Sequence, residues 1–273
     1  MGRFDGMLIC TDLDGTLLRN DKTVSDENRE AMRYFKAEGG YFTFITGRMP
    51  FFVSEMYEAV RPNCPIGCVN GGALYDYEAQ KYLWSTELSR DALDLVEHVD
   101  RNLPQIGIQY YTLDKVYICG YNSSMCDFLA RTGLPYLPAH YREIEEPLVK
   151  VVFGDDDNDR ILEVERLLKS HPRAADFDFI RSERTLYEIL PKGANKGTLL
   201  PRLAAHLGVE MRNTIAVGDY DNDISMIRAA GIGVAVANAT PAARAAADLV
   251  TVSNEEHAIA KIVSDLDRGV LRP

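Results

Sequence analysis

Short apolar runs alternate with amphipathic stretches through the first third of the chain. Met7-Leu8-Ile9 predicts a buried strand that leads into Cys10-Thr11-Asp12-Leu13-Asp14-Gly15-Thr16. Ser25-Asp26-Glu27 then supplies a capping hydroxyl and two first-turn acids, which predict a helix start. Ala31, Met32 and Phe35 share one face of that helix, and Gly39-Gly40 stops it. Residues 41–45 predict a second strand ending at Thr46-Gly47-Arg48, and residues 51–60 a second helix. Residues 65–69 predict a third strand ending at Asn70-Gly71-Gly72. Successive strand–helix units of this kind imply a parallel, doubly wound sheet.

The pattern then changes. Residues 73–84 predict a hairpin around Tyr77-Glu78-Ala79-Gln80, followed by a helix at 90–102. Strands are expected at 106–111 and 115–119, a helix at 123–132, a strand at 149–153 and a helix at 159–171. A strand pair at 177–181 and 186–190 follows. This mixture of helices with antiparallel strands describes a separate α+β module inserted into the first domain. The α/β pattern resumes with a helix at 196–207, which Pro201 should kink or whose start it should shift. A strand at 214–217 ends at Gly218-Asp219, a short helix at 221–230 stops at Gly231, and a strand at 232–237 follows. An Ala-rich helix, Val250-Thr251-Val252 and a terminal helix complete the chain. The expected fold class is α/β: a Rossmann-like, doubly wound parallel sheet core formed by 1–85 and 186–273, with 86–185 as an inserted α+β domain.

Composition narrows the function. The 273 residues are 46% hydrophobic, enough for a sizeable core and too apolar for general disorder. A net charge of −11 argues against nucleic acid or an anionic membrane as partner, since both need a basic face. It leaves room for an anionic small substrate, because a metal and a few local cations invert the field inside a pocket. The five cysteines, Cys10, Cys64, Cys68, Cys119 and Cys126, form no paired metal-ligand spacing and suit a reducing cytoplasm. The first residues lack the regions of a signal peptide, and no apolar run approaches the ~20 residues of a membrane span.

The chemistry lies just past the core strands. Asp12 and Asp14 sit two residues apart at the end of the first strand, where like charges demand a metal ion, a proton-transfer role, or both. In a parallel sheet the strand ends would also bring Thr46, Asp219 and Asp223 to one edge, with Lys196 opening a nearby helix. Hard oxygen ligands of this kind suit Mg²⁺, and the matching substrate is a phosphate monoester. Asp12 would attack phosphorus and form an aspartyl-phosphate, with Lys196, Thr46 and backbone N–H groups near Asp14 and Gly47 stabilising the transferring group. Asp14 would protonate the leaving oxygen and later deprotonate water, the first of which requires a raised pKa.

Asp12-Leu13-Asp14-Gly15-Thr16, Thr46-Gly47-Arg48, Lys196 and Gly218-Asp219-Tyr220-Asp221-Asn222-Asp223 together resemble the four ordered motifs of the haloacid dehalogenase superfamily. Val69-Asn70-Gly71-Gly72-Ala73, Gly193-Ala194-Asn195-Lys196-Gly197 and Val236-Ala237-Asn238-Ala239 resemble its Cof-type sugar-phosphatase branch, and the insert resembles that branch's α/β cap. The resemblance implies that Asp12 is nucleophile and metal ligand, and that Asp14 is acid/base and ligates metal through its backbone carbonyl. It implies phosphate binding by Thr46 and Lys196, metal ligation by Asp219, metal support by Asp223, and an Asn222 that contacts phosphate or orients Lys196. Pro201 and His257 depart from the branch pattern.

Plainer readings stand beside these. Arg48 serves substrate contact or an ion pair, Asn70 a loop or substrate contact, and Asp223 metal support or a helix cap. Asp155-Asp156-Asp157-Asn158-Asp159 reads as a solvated helix start, without the glycine and distal glutamate of a calcium loop. The expected function is a Mg²⁺-dependent phosphatase of small phosphorylated metabolites. The alternatives are a phosphomutase and a non-catalytic phosphometabolite-binding protein.

Overall fold

The computed structural model describes residues 2–133 and 135–272. Along the chain run β1 (Leu8–Thr11), α1 (Asp26–Ala37), β2 (Tyr41–Phe44), α2 (Ser54–Val60), β3 (Ile66–Cys68), β4 (Ala73–Asp76) and β5 (Lys81–Ser85). There follow α3 (Ala92–Asn102), β6 (Gly107–Tyr111), β7 (Val116–Gly120), α4 (Ser123–Thr132), β8 (Leu137–Pro138), β9 (Lys150–Gly154), α5 (Asn158–Ser170), β10 (Phe177–Glu183) and β11 (Leu186–Pro191). The chain closes with α6 (Lys196–Leu207), β12 (Thr214–Gly218), α7 (Ile224–Ala229), β13 (Ile232–Ala235), α8 (Pro241–Ala246), β14 (Leu249–Val250) and α9 (Ala258–Asp267). These elements form two compact units, Met1–Trp84 with Asn195–Pro273, and Ser85–Ala194.

The first unit is built on a parallel five-stranded sheet in the order β14-β13-β12-β1-β2. All four residues of β1 are fully buried, as expected of a central parallel strand covered on both faces. Strand order reverses at β1, with β2 on one side and β12 on the other, and open α/β sheets place their sites outside such carboxyl ends. Ser25 caps α1 as its sequence predicts, accepting from Asn28 N at 3.3 Å. The apolar stripe of α9, Ile259, Ile262, Val263 and Leu266, keeps the spacing of a helix face turned to a core.

Three local expectations change. The helix predicted at 51–60 is split into a 3₁₀ turn at Pro50–Phe52 and α2. The third strand is not a full member of the parallel sheet. β3 pairs antiparallel with β4, in a small sheet β3-β4-β5, and meets the end of β2 through one bridge between Ile45 and Gly67. It stops after three residues because the backbone turns left-handed at Val69. Finally, α6 runs unbroken across Pro201, and its start stays at Lys196 because Asn195 and Thr198 cap it reciprocally.

The second unit is a six-stranded sheet in the order β10-β11-β9-β6-β7-β8, antiparallel apart from the β7–β8 pair. Ile108, Tyr110, Val151, Phe153, Tyr187 and Ile189 join α3 and α5 in one apolar core. The alternate residues Gln109, Tyr111, Lys150 and Glu188 are also buried, with Lys150 Nζ 3.0 Å from Glu188 Oε2 and 4.8 Å from the Tyr111 ring centre. The return to the core expected at 186 instead falls inside this unit. β11 is hydrogen-bonded along both edges, to β10 and β9, and holds the chain there to Ala194. The acidic run after β9 is not simply solvated: Asp155 is buried and accepts from Asn122, Asp157 N and Arg160, while Asp157 caps α5. Among the described residues no helix is long and apolar enough to cross a membrane.

Candidate active site

β1 delivers Asp12 to the carboxyl edge of the parallel sheet, where its N–H donates to Val217 O at 2.9 Å. The chain then turns through Gly15, whose φ of +79° is left-handed. A Cβ there would also fall 2.6 Å from Asp219 Oδ2, so glycine serves both the turn and the close approach. Asn238 Nδ2 braces the turn by donating to Gly15 O at 2.8 Å. From the N-terminus of α6, the fully buried Lys196 sends Nζ to Asp12 Oδ1 and to Asp223 Oδ1, each at 2.6 Å.

Asp219 and Asp223 follow the end of β12. One carboxylate oxygen from each of Asp12, Asp219 and Asp223 lies within 4.8 Å of the others. Burial drives the Asp12 carboxyl well above the ordinary range, against the pull of Lys196. Burial and the neighbouring Asp223 push Asp219 up to about 6. A cluster of carboxylates that favours added positive charge fits a hard divalent cation such as Mg²⁺. The donors differ, however. Asp12 and Asp219 have oxygens suited to direct ligation. Asp223 spends Oδ1 on Lys196 and Oδ2 on the N–H groups of Asp219 and Tyr220, at 2.9 and 3.1 Å, so it fits a supporting place.

Asp14 stands apart from that cluster. Arg48 binds its carboxylate through Nε and Nη2, each at 3.0 Å, and Lys22 Nζ adds a contact at 2.8 Å. Burial raises its pKa, but Arg48 and then Lys22 outweigh burial and the net shift is downward. The raised pKa required of a proton donor is therefore absent in this arrangement. Arg48, considered for substrate contact, is engaged with Asp14.

The loop after β2 is tightly built. Thr46 is buried, and its Oγ1 accepts from Arg48 N at 3.2 Å. Asn70 N donates to Thr46 O at 3.0 Å, and a Cβ on Gly47 would stand 3.0 Å from both side-chain heteroatoms of Asn70. Asn222 Nδ2 reaches the same side chain, donating to Asn70 Oδ1 at 3.0 Å. Val69, Asn70 and Gly71 all have positive φ. For a β-branched residue such as Val69 that conformation costs about 1–3 kcal/mol, a strain common near functional sites.

Two contacts at the site have no counterpart among the sequence expectations: Thr16 donates to Asp219 Oδ1 at 2.6 Å, and Lys22 donates to Asp14. Thr16 lay inside the first motif and could have been read as a partner for a carboxylate. Nothing in the spacing of Lys22 announced its contact.

The sequence profile of the haloacid dehalogenase-like hydrolases matches residues 9–263. A putative phosphatase of Bacillus subtilis, YxeH, is 30% identical, with 95% of this chain and 97% of that protein aligned. The 5-amino-6-(5-phospho-D-ribitylamino)uracil phosphatase YcsE of the same organism is 29% identical over 95% of both chains. The solved HAD subclass IIB sugar phosphatase BT4131 has the same fold, with a TM-score of 0.84 and 19% identity, covering 97% of this chain and all of the other. With its ordered motifs gathered at one sheet edge, the chain belongs to the haloacid dehalogenase-like hydrolases, in the Cof-type phosphatase branch.

Proposed function

We propose that the protein is a Mg²⁺-dependent phosphomonoesterase acting on small phosphorylated metabolites, above all sugar phosphates, through an aspartyl-phosphate on Asp12. The observation that carries this reading is the buried Lys196 ammonium held between Asp12 and Asp223, beside Asp219. It keeps a carboxylate nucleophile aimed and leaves a cation where phosphoryl oxygens gain charge. Asp12 and Asp219 would hold Mg²⁺, with the Asp14 backbone carbonyl, and Asp223 would fix their surroundings. When bound, the ion supplies charge neutralisation that lets an anionic nucleophile approach an anionic phosphate.

In the first half-reaction an Asp12 oxygen bonds to phosphorus as the bond from phosphorus to the ester oxygen breaks. Asp14 gives that oxygen its proton. In the second, Asp14 takes a proton from water, whose oxygen displaces Asp12 and releases inorganic phosphate. Asp14 must exchange its ion pairs with Arg48 and Lys22 for a proton before it can act as donor. Substrate binding that draws Arg48 or Lys22 toward phosphate would achieve this exchange. Thr46, the Gly47 N–H, Lys196 and Asn222 are the phosphate-binding groups of this reading.

The unit Ser85–Ala194 is proposed to be the cap that sets specificity. The phosphorylated ribityl chain named for YcsE supports a polyol or sugar phosphate as substrate class. The five free cysteines support a reducing, cytoplasmic setting. The test is phosphate release from an aryl phosphate and a panel of sugar phosphates without added acceptor. Asp12→Asn should lower turnover by about 10³-fold or more, and EDTA should abolish it until Mg²⁺ is restored. Undiminished turnover in either case would refute the mechanism.

A further inference from the structure

One buried turn, Val69–Gly71, touches three separate parts of the phosphate site. Its three successive left-handed residues have φ values of 55°, 52° and 95°. That backbone aims two consecutive N–H groups at the loop after β2: Val69 N donates to Arg48 O at 3.1 Å and Asn70 N to Thr46 O at 3.0 Å. The Asn70 side chain lies against Gly47 and accepts from Asn222, the neighbour of the Asp223 that binds Lys196. On the remaining side, a Cβ on Gly71 would fall 2.2 Å from the carbonyl oxygen of Asn195, the cap of the helix that Lys196 opens. Segments 46–48, 195–196 and 222–223 are remote in sequence, and this turn is where they meet.

We infer that Asn70 is a positioning residue, whose side chain fixes the spacing between the Thr46-Gly47 loop and the group formed by Asn222, Asp223 and Lys196. The inference rests on the phosphatase reading above. Asparagine suits the place because its short amide tolerates the left-handed backbone while still offering an acceptor to Asn222. The side chain is fully buried, so it acts on phosphate through its neighbours rather than by contact with solvent-borne substrate. The strained Val69 beside it is a local preference overridden by the needs of the site.

Asn70→Gly separates the amide from the backbone, since glycine keeps the left-handed turn without strain. Asn222→Ala and the double variant complete a cycle, with urea unfolding and 4-nitrophenyl phosphate kinetics as readouts. Asn70→Gly should unfold at a urea concentration close to wild type, lose about 10–100-fold in kcat, and change KM less than kcat. Asn222→Ala should lose a similar factor, and the double variant little more than the larger single loss, because the pair acts as a unit. A folded Asn70→Gly with kcat within twofold of wild type overturns the inference, and so do losses that multiply. Should Asn70→Gly not fold, a wild-type kcat in Asn222→Ala overturns it alone. Absence of turnover in the wild-type protein instead refutes the phosphatase reading and removes this inference with it.

Discussion

Replacing Lys196 by methionine probes the charge balance of the site while keeping the length of a fully buried side chain. In the native protein one ammonium serves two carboxylates at 2.6 Å each. Without it, Asp12 and Asp223 lose their shared counter-ion beside Asp219, with oxygens of all three inside 4.8 Å. Removing one partner of a buried pair costs about 3–5 kcal/mol. The alternative to bearing that cost is protonation, and neutralising a carboxyl of ordinary pKa near 4 at pH 7.5 costs about 5 kcal/mol. The expected loss at pH 7.5 is therefore at least about 3 kcal/mol and below the roughly 10 kcal/mol of two full protonations, because burial already raises the Asp12 carboxyl in the wild type.

The pH dependence gives a second check. A carboxyl raised in the folded state binds a proton that the unfolded chain has released, so stability falls as pH rises through the interval between the two pKa values. For one proton bound by the variant and not by wild type, taking Lys196→Met from pH 7.5 to 5.5 should restore about 2.7 kcal/mol relative to wild type. Urea denaturation in EDTA at both pH values measures both quantities. A variant within about 1 kcal/mol of wild type at each pH would refute the reasoning. Asp12→Asn is the contrast: it leaves Lys196 paired with Asp223, so it should cost less than Lys196→Met, which strips the cation from both carboxylates.

Three further outcomes are expected. Asp219 is raised from 3.8 to about 6, so the metal-free protein should lose stability as pH rises across that interval. Millimolar Mg²⁺ competes with that proton and should raise the melting temperature more at pH 7.5 than at pH 5; equal shifts would count against Asp219 as a ligand. His257 adopts a left-handed φ of 64°, and its Nδ1, 3.5 Å from Glu27 Oε2, makes no hydrogen bond. His257→Gly should therefore stabilise the protein by about 0.5–1 kcal/mol in urea denaturation, the left-handed strain exceeding the added chain entropy, and a less stable variant would contradict this. Burial pushes Cys10 and Cys68 far up and Cys64 and Cys119 up to about 12, while Cys126 is exposed. A thiol reagent at pH 8 should therefore modify Cys126 first, and Cys126→Ser should remove the fast phase.

Much of this was legible because the signals were local. Asp12-Leu13-Asp14-Gly15-Thr16 joins an apolar run to carboxylates, and Ser25 and Asn195 each cap the helix that their sequence announces. What was hidden depends on pairing between remote residues. Residues 186–190 look the same whether a strand closes an inserted module or reopens the core. Only the hydrogen bonds of β11 with β9 and β10 decide it. The third strand differs from its sequence expectation for a similar reason: an apolar run predicts extension but not partner or direction, and the left-handed Val69 that diverts it has no compositional sign. Arg48 was visible as a cation near the site, but its choice of Asp14 rests on side-chain geometry across 34 residues of sequence.

The four aspartates show why spacing alone could not assign roles. Asp12 is desolvated and faces one buried ammonium, which suits an aimed nucleophile. Asp14, two residues on, is held by two cations and kept ionised, so any proton donation must begin with a change of partners. Asp219 is held by one hydroxyl and raised by its surroundings, the condition of a carboxylate open to a metal. Asp223, fully buried, has both oxygens committed to holding Lys196 and the backbone at Asp219 and Tyr220. Identical side chains thus acquire different chemistry from their partners. Loss of Asp223 would leave Lys196 with Asp12 alone and free the backbone N–H groups of Asp219 and Tyr220, whereas loss of Asp14 would leave the Asp12–Lys196–Asp223 contacts standing. The two variants should therefore separate in stability even where both abolish turnover, with Asp223→Ala the less stable of the two.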